Sequence, residues 1–122
     1  MSAVAPVAVL ELTKGSAQSF RIAVRDENGN PESLSGADKA SLTIAEKAGG
    51  TVVFQADTVL GNLSIDVATG ELVVTPTQGQ ADAFVRGSFI AASAVHYTAG
   101  GGRWIDSDPF VTRIRPSIAA HL

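Results

Sequence analysis

A chain of 122 residues, 45% hydrophobic and 17% charged with a net charge of −3, has the size and balance of one packed domain and excludes a disordered chain. The acidic balance and the lack of a dense Lys/Arg cluster argue against nucleic acid as a partner, and no apolar run reaches the ~20 residues of a membrane helix. With no cysteine, disulfides, thiolate nucleophiles and Cys-based metal sites are ruled out, which leaves the compartment open but leaning intracellular.

Residues 1–12 are apolar but lack a basic start, contain Pro6 and meet Glu11, so they do not read as a signal peptide. Val7, Val9 and Leu12 suggest a first strand closed by Lys14-Gly15. Phe20, Ile22 and Val24 alternate with Ser19, Ala23 and Arg25 in a second. Asp26-Glu27-Asn28-Gly29-Asn30-Pro31 is a turn, because Asn-Gly tolerates positive φ and Pro31 cannot donate to a ladder. Leu34, set among polar residues, is expected to plug one end of the core.

Ala40, Leu42 and Ile44 predict the next strand, and the β-branched run at 51–56 the one after. Leu63, Ile65 and Val67, then the tight turn Ala68-Thr69-Gly70, then Glu71-Leu72-Val73-Val74-Thr75 make a hairpin that Pro76 ends. A short helical turn is expected near 77–85, capped by Thr77, with Ala81 and Phe84 facing inward. Gly87 opens a long strand with Phe89, Ala91, Ser93 and Val95 on one face and Ile90, Ala92, Ala94 and His96 on the other. After the tip Ala99-Gly100-Gly101-Gly102, a last strand runs from Arg103 to about Ile114, with a bulge or edge position at Asp106-Ser107-Asp108-Pro109.

These signals predict an all-β chain, an immunoglobulin-like β-sandwich of about seven or eight antiparallel strands, with a barrel as the alternative. One domain spans residues 1–122, with an N-terminal arm at 1–6 and a C-terminal tail at 115–122.

Catalytic chemistry has little to stand on. The two histidines, His96 and His121, have no nucleophile or metal ligand at a telling spacing, and His96 reads as a satisfied strand residue. Asp106 and Asp108 supply only a fraction of the six or more oxygens Ca²⁺ takes. The turn at 26–30 lacks the helix and spaced Glu of a calcium loop, and Gly100 to Gly102 lead into a strand rather than a helix. We therefore expect no catalytic residues, no metal site and no cofactor. The low charge instead suggests surface left free for another subunit. Candidate partner contacts are Tyr97 and Trp104, the only tyrosine and tryptophan, whose rings are expected to pair across the glycine tip and cap the core or present a contact. Val4 in the N-terminal arm and Ile118 and Leu122 in the C-terminal tail are candidates for burial on a neighbour, and the alanine-rich strand around Ala92 is a further candidate surface. The arginines Arg103, Arg113 and Arg115 read as a solvated face.

From Leu10 onward, Leu12-Thr13-Lys14-Gly15, the run from Phe20 to Val24, Asp26-Glu27-Asn28-Gly29-Asn30-Pro31, Leu34-Ser35-Gly36-Ala37, Gly70-Glu71-Leu72-Val73-Val74-Thr75-Pro76-Thr77, Gly87-Ser88-Phe89 and Pro109-Phe110-Val111-Thr112 follow one another in an order that resembles the immunoglobulin-like domain of phage virion structural proteins, such as the N-terminal domain of upper baseplate and tail-fibre components. The resemblance covers nearly the whole chain, with Phe89 standing where that family usually has tyrosine. It implies a virion protein assembled in host cytoplasm, docking as repeated copies on a tail, baseplate or head through edge strands and termini. The implied partners are other virion proteins and copies of itself, without nucleic acid or membrane. A capsid decoration protein and a β-sandwich that binds a host-surface glycan or receptor, with Tyr97, Trp104, Asp106 and Asp108 as ligand contacts, are the alternatives.

Overall fold

Burial alternates with period two along the strands, as the sequence pattern requires. In the computed structural model, which describes residues 10–26 and 28–116, these strands are β1 (Leu10–Thr13), β2 (Phe20–Ala23), β3 (Ala37–Ala45), β4 (Val52–Asp57), β5 (Leu63–Asp66), β6 (Glu71–Val74), β7 (Gly87–Tyr97), β8 (Arg103–Asp106) and β9 (Phe110–Arg115), with helix α1 (Gln78–Asp82) between β6 and β7. The predicted residues at 1–9 lie outside the described range. The last predicted strand is divided into β8 and β9 at the expected irregularity.

Two sheets face each other. The larger has the order β1-β9-β7-β3-β4, with β8 pairing the far half of β7, and the smaller has the order β2-β6-β5. All neighbours are antiparallel except β1, which runs parallel to β9. That one parallel pair departs from the expected pattern. It arises because β1 and β2 are consecutive yet lie in different sheets, so the chain crosses the sandwich between them rather than folding back as a hairpin. Two separate sheets make this a sandwich, not a barrel.

The core lies between the sheets. Leu42, Ile44, Leu72 and Val74 are fully buried, and Leu34 plugs one end as expected. The predicted helical turn is α1. Thr77 Oγ1 accepts from Gln80 N while Gln80 Oε1 accepts from Thr77 N, a reciprocal cap that satisfies two amides a helix start leaves open. Its inward residues are the predicted ones: Ala81 is fully buried, and Phe84 meets Phe54 edge-to-face at 5.5 Å. The predicted turns also form. The Asp26 carboxylate accepts from the amides of Asn28 and Asn30, and Gly29 takes φ 81°.

Candidate docking surface

The outward side of the larger sheet is charged toward its ends and uncharged at its centre. Along β7, Phe89, Ala91, Ser93, Val95 and Tyr97 are buried, and the residues between them, Ile90, Ala92, Ala94 and His96, form the outer row. Across β3 the register sets Ala45 opposite Ile90, Thr43 opposite Ala92 and Ser41 opposite Ala94. The centre of this face is therefore small and uncharged. On the other flank of β7, Trp104 lies opposite His96, Asp106 opposite Ala94, Val111 opposite Ile90 and Arg113 opposite Ser88. Trp104 and Val111 are 53% and 46% exposed, which makes them apolar contacts open to a partner.

The structure parts the two aromatic rings that the sequence pairs. Tyr97 registers with Arg103 and Trp104 with His96, so the rings point to opposite sides of the sheet. Tyr97 turns inward: it is 8% exposed, and its hydroxyl donates to Ser33 O at 2.9 Å. Burial also pushes its hydroxyl pKa up. It closes the core end, with Arg103 5.8 Å from its ring centre. Trp104 stays outside and lies against His96 with ring centres 5.0 Å apart.

His96 is held from its other side by Asp38. A register shift between Ala37 and Lys39 makes Asp38 an extra residue, a bulge that re-aims its carboxylate onto His96 Nδ1 at 2.6 Å. That hydrogen bond holds the Asp38 carboxyl below the usual carboxylate range. The group can orient an imidazole and support an indole. Among the described residues no cluster of three or more His, Cys, Asp and Glu is placed to hold a metal. Asp106 ends β8, and Asp108 follows across the break.

The open edge of β4 is covered. Asn62, which is buried, accepts from Asp57 N at 3.0 Å and donates to Gln55 O at 3.3 Å and to Gln80 Oε1 at 3.1 Å. Gln80 Nε2 also donates to Gln55 O at 3.2 Å. Two side chains thus occupy backbone positions where another strand would add, which protects that edge. Sequence reasoning missed this pair because its members lie 18 residues apart and only the folded chain brings them together. It also missed the turn after β4, where Val59 and Leu60 are 83% and 62% exposed. A shallow groove of about 270 Å³ beside β1 is lined by Glu11, Ser16, Gln18, Ser19 and Arg115 among others, and its arginine already faces Glu11 at 3.7 Å. Of the other predicted contacts and histidines, Val4, Ile118, His121 and Leu122 lie outside the described residues. No helix among the described residues is long and apolar enough to cross a membrane.

The strand order and the mixed β1–β9 edge define an immunoglobulin-like sandwich. Among solved structures the chain is similar to the N-terminal domain of phage TP901-1 ORF48, with TM-score 0.56 and 20% identity over 88% of this chain and 85% of that one. It is also similar to CopC from Methylosinus trichosporium OB3b, with TM-score 0.50 and 13% identity over 98% of both chains. Likeness at such identities is likeness of fold. No protein family and no curated protein matches the sequence.

Proposed function

We propose that this chain is a structural module of a bacteriophage particle, docking in repeated copies on a tail, baseplate or head, and that it is not an enzyme. The observation that carries the reading is the fold likeness to the N-terminal domain of a phage protein over most of both chains. The uncharged centre of the larger sheet's outer face, with Trp104 at its rim, supports it, because interface centres are depleted of charge and enriched in aromatic anchors. The covered β4 edge favours docking through a face over docking through that strand. The test is gold labelling, with an antibody against the purified chain, of particles induced from the bacterium that carries the gene. Label at one fixed place on the particle supports the reading. Label confined to soluble host protein overturns it.

A glycan-binding module is a second reading, favoured by Trp104 and Asp106 sharing one exposed face. Glycan-array binding that is lost in a folded Trp104→Ala variant supports it, and an empty array removes it.

A further inference from the structure

The outer face of the larger sheet is electrically lopsided along its strands. At the end near the 98–102 tip it carries Asp106, Asp57 and Asp38 against Lys39. At the other end it carries Arg113 and Arg115 against Glu11, and Arg86 precedes β7 there. The turn after β3 adds Glu46 and Lys47, which cancel. Among the described residues neither Asp106 nor Arg113 has an ion-pair partner, whereas Glu11 is held by Arg115. Between these ends lies the uncharged centre of Ile90, Ala92, Ala94, Ser41, Thr43 and Ala45.

We propose that two copies of this chain pack through these faces about a two-fold axis that runs across the strands at the level of Ala91. A two-fold contact must be self-complementary, so the charges decide which axis is allowed. Asp106 registers with Ala94, and Arg113 with Ser88. Six residues of strand separate these levels by ~20 Å, so each lies ~10 Å from Ala91, on opposite sides. An axis across the strands there sets Asp106 of one copy over Arg113 of the other, twice. It also sets Trp104 at the level of Arg115 in the second copy, a cation–π geometry. The alternative axis, along the strands, fails. Ser41 registers with both Ala94 and Asp57, so Asp57 and Asp106 share one level on opposite flanks of the face. That axis would stack carboxylate on carboxylate.

Facing sheets pack about 30° apart, which displaces the ends by ~5 Å sideways, within reach of an arginine side chain. Small central residues let the backbones approach closely. Four strand lines over the length of β7 give a face of ~500 Å², so a pair buries on the order of 1,000 Å², the lower bound for a specific interface. The occupant is a second copy because the pattern of charge is complementary to itself.

This rests on the reading that copies of the chain meet one another, yet its test does not need the particle. Full-length chain is measured by sedimentation velocity and native mass spectrometry. The wild type is expected to be a dimer. Asp106→Arg and Arg113→Asp, each alone, set like charges against each other and raise the dissociation constant at least about tenfold. Mixing the two variants restores a dimer, since the hybrid brings Arg to Asp at both contacts. Ala92→Arg, at the centre, abolishes the dimer while an unchanged melting curve shows that the fold persists. A wild type that is monomeric at all concentrations or assembles as a trimer or larger ring, a dimer that survives Ala92→Arg, or a mixture that stays monomeric each overturns the proposal. Gold label on particles without a dimer would sink this geometry and leave the virion reading standing.

Discussion

Replacing Asn62 by alanine isolates the energetic role of the covered β4 edge. Three side-chain hydrogen bonds disappear, but their partners are not left alike. Gln55 O keeps Gln80 Nε2 at 3.2 Å, and Gln80 Oε1 keeps Thr77 N at 3.1 Å, whereas Asp57 N loses its acceptor. Each lost bond is worth about 1 kcal/mol net, and an orphaned amide in a half-buried position adds about 1 kcal/mol, the lower end of its usual penalty, so the sum is about 4 kcal/mol. In a domain of this size that lowers the melting temperature by roughly 15 °C. Urea unfolding and thermal melts read the magnitude, and hydrogen exchange at the Asp57 amide reads the mechanism, because that amide should become fast without global unfolding. Gln80→Ala also removes three side-chain bonds but leaves Asp57 N paired, so it should cost about 1 kcal/mol less. A loss below about 1 kcal/mol for Asn62→Ala, or an Asp57 amide that stays protected, would refute the idea that Asn62 closes this edge.

Thr112 is fully buried and its hydroxyl has no hydrogen-bond partner among the described residues, so the near-isosteric Thr112→Val should raise stability by about 1 kcal/mol in urea unfolding; a loss would mean the hydroxyl is satisfied. Arg21 hydrogen-bonds Asp66 at 2.9 Å and holds its carboxyl below the ordinary range, so the stabilisation is present above the unfolded value of about 3.9 and fades as pH falls through the folded value. Arg21→Gln should flatten the acid limb of melting temperature against pH below about 4, and superimposable limbs would contradict this. Deleting Asp108 removes the extra residue of the β8–β9 line and should turn Phe110 and Ile114 outward, costing roughly 3 kcal/mol or more in lost burial. An amide spectrum that stays dispersed and native-like would show that the break can close without reversing the strand.

Much of this architecture is legible in the residues because its determinants are local. Alternation marks the strands, Asn28-Gly29 and Gly70 mark turns, and Thr77 marks the helix start. What stays hidden is register. Tyr97 and Trp104 look symmetric about a glycine tip, but the loop closes with Tyr97 against Arg103, and a slip of one residue sends the two rings to opposite faces. Asp38 looks like an ordinary strand-entry carboxylate until the bulge aims it at His96. The Asn62–Gln80 pair joins residues 18 apart in sequence, each an unremarked polar residue in its own segment. The outer face is legible in its alanines, whereas the opposition of Asp106 and Arg113 along it appears only once the ladders are counted.

That opposition depends on the break at Ser107. Between the pairs Ala94–Asp106 and Ala91–Phe110, β7 advances three residues while the partner line advances four. The extra residue reverses the phase of alternation, which is why Trp104 and Asp106 face outward before the break and Val111 and Arg113 after it, while Phe110, Thr112 and Ile114 face the core. Without it, the parity that places Asp106 outside would bury Arg113. Such an interruption normally leaves backbone groups unpaired, and Pro109 brings no donor of its own. Ser107 supplies both missing partners: its amide donates to Ser93 O at 2.8 Å and its hydroxyl accepts from Ser93 N at 2.9 Å. A serine that reads in sequence as loop filler thus mends the ladder where the line beside β7 changes phase, and the continuity of the proposed interface follows from it.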